Sequence, residues 1–144
     1  MVVTPEALQS LFGFISRHTL GGGCSRQVYA LDGWSYVIKI EDNDPFGMMQ
    51  NVAEALLWRA VTHTPQEKWF APCEWISADG RVLVMAKTTP PKRYPERLPT
   101  FMSDIKKENF GIYKGRFVVH DYGCIGVMLQ NGFKNDRLVK VNWD

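Results

Sequence analysis

The sequence predicts an α+β fold, in which an antiparallel sheet carries one buried helix. Short apolar runs with strand-like composition are separated by Gly-rich or Asp-Gly turns, at Gly21–Gly23, Asp32-Gly33 and Asp79-Gly80. One long helical pattern follows the third of these runs. No regular alternation of strand and helix is present, so a parallel, doubly wound sheet is not expected.

The first predicted element is a short helix over residues 5–18. Thr4 is placed to cap it and Pro5 occupies its first turn. Its apolar stripe consists of Leu8, Leu11, Phe12 and Ile15. Three strands with two turns between them are then predicted over residues 19–41.

The buried helix is predicted to begin after Asp44, with Pro45 in its first turn, and to end at about Thr62. Apolar residues cover two of its faces, which predicts burial between layers. One apolar stripe consists of Met49, Val52, Ala53, Leu56 and Ala60. The other face contains Glu54, Leu57, Trp58 and Val61.

A carboxylate on a buried helix face requires a cation, because burying it unpaired is very costly. Lys39 in the third strand could supply that cation to Glu54. The alternatives are a lysine at a sheet edge with its ammonium group in water, and a glutamate at the rim of the helix.

The remaining elements are short. A hairpin turning at Asp79-Gly80 is followed by a Pro-rich link over residues 87–99, which cannot form a regular helix. Two strands separated by Lys114-Gly115 come next, and "RLVKVNW" near the end alternates like one more strand.

Composition restricts the class of protein. The 144 residues include 12% aromatic residues, which predicts a packed globule. No apolar run is long enough to span a membrane, and no secretory signal is visible at the N-terminus. Cys24, Cys73 and Cys124 are widely spaced, which fits a reducing cytoplasm better than a disulfide framework or a zinc site.

The net charge of +2 is divided unevenly. Residues 1–86 carry 6 basic and 9 acidic side chains, whereas residues 87–144 carry 11 basic and 6 acidic ones. A basic half can attract phosphates, nucleic acid or an acidic partner, and it can equally be a solvated surface.

The polar motifs of the second half resemble the catalytic core of eukaryotic-type protein kinases. The stretch "DIKKEN", from Asp104 to Asn109, resembles the D-L-K-P-E-N catalytic loop, and "HDYG" around Asp121 resembles the D-F-G metal motif. Lys39 in a strand and Glu54 in the next helix precede them in the family's order. The resemblance covers roughly residues 20–123.

The resemblance implies a role for each polar residue in phosphoryl transfer. Lys39, held by Glu54, would bind the α- and β-phosphates of ATP. Asn109 and Asp121 would bind Mg²⁺. The catalytic base and the γ-phosphate contact would be Asp104 and Lys106.

The same resemblance places the rest of the nucleotide. The backbone at Gly21 and Gly23 would approach the phosphates, although a Gly-rich hairpin is usually only a turn. The adenine would lie between Val28 and Val37 on one side and residues near Met85 on the other.

Several family features are missing. Met102 and Ser103 stand where kinases have His-Arg, and Arg26 occupies the third glycine position. Only 21 residues follow Gly123, which leaves no room for a helical substrate lobe. The chain is therefore expected to be one kinase-like domain, with a nucleotide-binding N-lobe over 1–86 and a reduced C-lobe over 87–144. Such trimming is similar to that of compact kinase-like proteins of bacterial viruses.

Two functions follow from the resemblance. One is an ATP- and Mg²⁺-dependent phosphotransferase acting on Ser/Thr hydroxyls. The other is a pseudokinase that grips or blocks a partner protein. A nucleic-acid binder using the basic half has only charge in its favour, because aromatic residues do not interleave with the basic ones.

The reduced C-lobe raises the question of what packs beneath the catalytic loop, at Ile105, Phe110 and Tyr122. The N-terminal helix and the C-terminal tail are the two candidates. The tail contributes Leu138, Val139, Val141 and Trp143. Either segment could act within the chain or across a homodimer.

Overall fold

A computed structural model describes residues 19–22, 26–30, 32–41, 49–123, 125, 133 and 137–143. The N-terminal helix predicted over residues 5–18 lies outside these ranges. The described part is α+β, as the sequence predicts, with one five-stranded antiparallel sheet, two two-stranded antiparallel pairs and one α-helix. No helix in this part is long and apolar enough to cross a membrane.

Five strands form the main sheet, in the order β1-β2-β3-β5-β4 with every neighbouring pair antiparallel. Their bounds are β1 Thr19–Gly22, β2 Arg26–Ala30, β3 Tyr36–Glu41, β4 Cys73–Ile76 and β5 Val82–Ala86. The two Asp-Gly turns are where the sequence predicts them, and Gly33 (φ 78°) and Gly80 (φ 74°) adopt the left-handed conformation that favours glycine.

The sheet has two differently buried faces. Val37 and Met85 belong to the main core, whereas Ile38, Ile40 and Val82 form a separate buried cluster. This division follows from the alternation of side chains along a strand. It places Lys39 on the same face as Val37, directed towards the helix.

The helix, α1, spans Gln50–Val61 and so begins later than predicted. Met49 precedes it with φ 47°, a left-handed conformation that a continuous helix through this position cannot include. The predicted cap Asp44 and first-turn Pro45 lie outside the described residues.

Only one face of α1 is deeply buried, which corrects the prediction of burial on both. The buried residues are Asn51, Glu54, Leu57 and Val61. On the other stripe Met49 and Leu56 are exposed. The apolar pattern does not reveal which face of the helix is interior, because the interior face carries the charged Glu54. Arg26 and Lys39 of the sheet pair with this carboxylate.

The second half of the chain contains less regular structure. Its strands are β6 Arg97–Pro99, β7 Phe110–Tyr113, β8 Arg116–Val119 and β9 Leu138–Lys140, and its short 3-10 helix is Lys107–Asn109. Strands β7 and β8 form the predicted hairpin through Lys114 and Gly115, both with positive φ. Strand β9 pairs with β6, and a second 3-10 helix, Glu67–Trp69, precedes β4.

Within the chain, the C-terminal tail packs against Phe110, the residue that directly follows the stretch 104–109. The Trp143 ring lies 5.2 Å from that of Phe110 and 4.9 Å from that of Tyr94, measured between centroids. Its Nε1 donates a hydrogen bond to the Pro95 carbonyl at 2.7 Å. Of the two candidate supports, the tail therefore contacts Phe110, while Phe70 contacts Tyr122 edge-on at 5.1 Å.

Candidate active site

A buried ion pair joins the sheet to the helix. The Lys39 ammonium donates to the two carboxylate oxygens of Glu54 at 2.9 and 3.1 Å. Lys39 is 4% exposed and Glu54 is fully buried. The sequence-based alternatives of an edge lysine and a rim glutamate are therefore wrong, because β3 is an interior strand and α1 turns Glu54 inward.

Arg26 is a third buried member of this cluster. Its Nη1 and Nη2 donate to the two oxygens of Glu54 at 2.8 and 3.1 Å, which makes a bidentate pair. Nη2 also donates to Asp121 Oδ1 at 2.8 Å. Arg26 is 5% exposed, whereas the Asp121 side chain is 47% exposed. Arg26 therefore links a fully buried carboxylate to one that faces solvent.

The attraction between opposite charges in this cluster keeps its buried groups ionised. Burial alone would raise the pKa of Glu54, but Lys39 and Arg26 outweigh it and lower that pKa to about 2. Burial alone would lower the pKa of Arg26, but Glu54 and Asp121 outweigh it and raise that pKa. Glu54 and Arg26 are therefore both ionised at neutral pH.

Glu54 also holds the "HDYG" segment by its backbone. The amides of Tyr122 and Gly123 donate to Glu54 Oε1 at 2.9 and 3.2 Å. The Tyr122 hydroxyl donates to the Ala71 carbonyl at 2.8 Å, which fixes the other end of this side chain. The Glu54 carboxylate thus accepts hydrogen bonds from two cationic side chains and from two backbone amides, so both of its oxygens are fully hydrogen-bonded.

Asn109 fastens the same segment to the catalytic-loop motif. Its carbonyl accepts the amides of His120 and Asp121 at 2.8 and 3.3 Å. Its Nδ2 donates to the carbonyl and to Oδ2 of Asp104 at 2.9 and 3.0 Å. The residues predicted as metal ligands and the residue predicted as base therefore meet through Asn109.

Asp104 is oriented but accessible. Its φ of 52° is left-handed, a strained conformation for a non-glycine residue that recurs at functional sites. The Lys106 ammonium lies 2.9 Å from Asp104 Oδ1, and both side chains are exposed. The carboxylate is thus held by two neighbours while remaining open to an external hydroxyl.

His120 supports the segment from a half-buried position. Its Nε2 donates to the Glu108 carbonyl at 2.7 Å, because a carbonyl oxygen can only accept. Its Nδ1 therefore accepts from the Thr88 hydroxyl at 2.7 Å. Burial is the main cause that lowers the pKa of His120, and its own carbonyl accepts a hydrogen bond from the Lys39 ammonium.

The described residues that are predicted to hold the nucleotide lie on the sheet. Gly21 pairs with Val28 across β1 and β2, and Gly23 lies outside the described residues. Val37 and Met85 are direct cross-strand partners, both buried in the core. They therefore share one sheet face, and the placement of an adenine ring between Val28 and Val37 on one side and residues near Met85 on the other stays a prediction.

Two of the described residues, Asn109 and Asp121, have the side-chain chemistry of Mg²⁺ ligands. Each carries a side-chain oxygen of the kind that Mg²⁺ binds, and the backbone contact keeps these two residues adjacent. Mg²⁺ commonly takes one or two protein oxygens and completes its shell with phosphates and water. Among the same residues no cluster of three His, Cys, Asp or Glu side chains could hold a metal ion by itself.

Sequence reasoning missed two buried contributors. Arg26 was considered only as a departure at a glycine position. Asn51, fully buried, accepts from Arg26 Nη1 at 3.2 Å and donates to the carbonyls of Lys39 and Arg81 at 3.1 and 2.9 Å. The available signal was position, because Asn51 precedes Glu54 by three residues on one helix face and so must share its surroundings. No family model and no curated protein matches this sequence.

Proposed function

We propose that this protein is an ATP- and Mg²⁺-dependent phosphotransferase of the protein kinase type, which transfers a phosphoryl group to a Ser/Thr hydroxyl. The finer fold proposed with it is a kinase-like N-lobe with a strongly reduced C-lobe. The observation that carries the proposal is the buried Lys39–Glu54 pair, whose carboxylate also binds the amides of Tyr122 and Gly123. Protein kinases require their strand lysine and helix glutamate to be paired in the same way.

Two further contacts support an acceptor site beside this pair. Asn109 holds Asp104 by its side chain and Asp121 by its carbonyl. The exposed Asp104 carboxylate could accept the proton of a hydroxyl, and the neighbouring Lys106 ammonium could neutralise a phosphate oxygen. Phosphoryl transfer depends mainly on positioning and charge neutralisation, which is what these groups provide.

Asp121 and Asn109 would hold the metal ion, which supplies neutralisation of the phosphate charge when bound. Lys39 would contact the phosphates while Glu54 keeps its ammonium in place. Because both are buried, the lysine has little freedom to leave this position.

The test is transfer of label from γ-labelled ATP, with Mg²⁺, to the protein itself or to a mixture of Ser- and Thr-containing peptides. Asp104→Asn should abolish transfer while ATP still stabilises the fold, because only acceptor orientation and proton uptake are lost. Lys39→Met should reduce transfer through loss of phosphate contact. The matched controls are Asp32→Asn in an exposed turn and Lys92→Met in the exposed link.

Equal labelling by wild type, Asp104→Asn and Lys39→Met would refute the phosphotransferase proposal. Labelling lost in the two site variants but kept in the two controls would establish it. Thermal unfolding of each variant shows whether a loss of activity is merely a loss of fold.

One observation favours the pseudokinase as a second candidate. Arg26 donates to Asp121, the residue expected to bind metal, and so competes with a metal ion for it. A pseudokinase would bind nucleotide or a partner protein without any transfer. ATP binding combined with no labelling of itself or of peptides would support this second function over the first.

A further inference from the structure

We propose that Arg26 acts as a resident cation of this site and binds the nucleotide phosphates itself, so that nucleotide binding does not require a divalent metal ion. The inference rests on the proposed nucleotide site. Arg26 would thus be a phosphate-binding residue, and a metal ion would be required only for the transfer step.

The charge balance of the cluster is the first argument. Lys39 and Glu54 already form a neutral pair, in which Glu54 also receives two amides. Without Arg26, Asp121 would leave one negative charge uncompensated, which is an arrangement that attracts a metal ion. With Arg26, two cations face two carboxylates, and the cluster is neutral.

Arg26 binds its two carboxylates unequally. It binds Glu54 with two hydrogen bonds in a fully buried setting, but it binds Asp121 with a single bond. The Asp121 side chain is 47% exposed, whereas Glu54 is fully buried. The bond to Asp121 is therefore the one that a ligand can replace at least cost.

A phosphate oxygen is a suitable replacement for Asp121 Oδ1. The guanidinium is permanently charged and its planar fork binds carboxylate and phosphate alike. Glu54 and Asn51 hold the other side of the group, so Arg26 does not need to reorganise to accept a phosphate. Exchange of one anionic oxygen for another keeps the charge-assisted bond.

The test is calorimetric titration of ATP into wild type and Arg26→Gln, each in EDTA and in Mg²⁺. Wild type should bind ATP in EDTA within about threefold of its affinity in Mg²⁺. Arg26→Gln should bind at least about tenfold more weakly in EDTA, because a charge-assisted bond is lost, and should recover in Mg²⁺. Arg59→Gln, an exposed arginine on α1, should behave like wild type.

Thermal unfolding with MgCl₂ alone gives a second measurement. Arg26→Gln should be stabilised by Mg²⁺ because its site has a net negative charge, whereas wild type should not shift. If Arg26→Gln does not fold, Arg26→Lys provides the comparison: it keeps the charge without the fork, so its ATP affinity in EDTA should fall below wild type yet remain measurable.

The failures are distinguishable. ATP binding by wild type only in Mg²⁺, or equal weakening of Arg26→Gln in both buffers, would overturn the role of Arg26 and leave the proposed function intact. Absence of ATP binding by wild type in both buffers would overturn the nucleotide site and the proposed function together.

Discussion

The two halves of the described chain are held together differently. The sheet region, residues 26–86, has a continuous ladder of paired strands and buries three charged side chains, Arg26, Lys39 and Glu54. The loop region, residues 87–143, has only two-stranded pairs and a cluster of aromatic rings, and it exposes Asp104 and Asp121. The buried charges of the sheet region therefore depend on one another for stability, whereas the exposed carboxylates of the loop region remain accessible to ligands.

The most severe test of this comparison is Glu54→Gln. The variant would leave Lys39 and Arg26 buried without their carboxylate, and breaking a buried ion pair in this way costs about 3–5 kcal/mol. Chemical denaturation should show a loss of this size in the free energy of unfolding. Glu74→Gln, at an exposed position of β4, should change it by less than about 0.5 kcal/mol. Similar losses in both variants would contradict the structural role of the Glu54 cluster.

Acid should weaken the sheet region through the same carboxylate. The pKa of Glu54 falls from 4.5 to about 2 on folding, which corresponds to about 3 kcal/mol. Because the folded pKa is the lower one, this stability is present above pH 4.5 and is lost as the pH falls towards about 2. Glu54→Gln should show a shallower loss of unfolding free energy across this window, and equal slopes would argue against a lowered pKa.

Trp143→Ala tests the aromatic support of the loop region. The side chain is half-buried, so we expect a loss of about 2–3 kcal/mol, below the range for fully buried aromatic residues. Amide hydrogen exchange should accelerate in β7 and β8 more than in β2, β3 and β5. Trp75→Ala, at an exposed position, is the matched control and should cost less than about 1 kcal/mol. Uniform acceleration across both regions would show that they unfold as one unit.

Asp104→Asn should have the smallest effect on stability. The side chain is exposed, and an exposed salt bridge such as that with Lys106 contributes about 0–1 kcal/mol. The Nδ2 of Asn109 can still donate to the backbone carbonyl of residue 104. The unfolding midpoint should therefore stay close to that of wild type while phosphoryl transfer is lost. A large drop in the midpoint would mean that Asp104 is structural.

The antiparallel sheet and the pairing of Lys39 with Glu54 could be predicted from the sequence. Turn residues mark the ends of the strands, and a buried carboxylate requires a nearby cation. The start of α1 could not be predicted, because the left-handed conformation of Met49 has no sequence signal in a residue of this type. The hydrophobic pattern alone also gives the wrong burial for the helix. The face that carries Glu54 is the buried one, because Arg26 of β2 and Lys39 of β3 pair with its carboxylate.

Arg26 could not be predicted as a member of the cluster, because its partners are distant in sequence and an arginine in a strand is ordinarily a surface residue. The sequence offered the C-terminal tail with Trp143 as one of two possible supports. An apolar tail indicates that it covers part of the core, but it does not indicate which part. Both contacts depend on tertiary packing, which local patterns do not specify.

The bond between Arg26 and Asp121 joins positions that are 95 residues apart, and the bond between Glu54 and the Tyr122 amide spans 68. Contacts of such large sequence separation require closure of long loops, which slows folding relative to helical proteins of the same size. During synthesis the two cations and Glu54 emerge well before Asp121 and Tyr122. A ribosome-bound chain therefore has no complete cluster until residues 121 and 122 have been made, so the site assembles only after the whole sheet region has been synthesised.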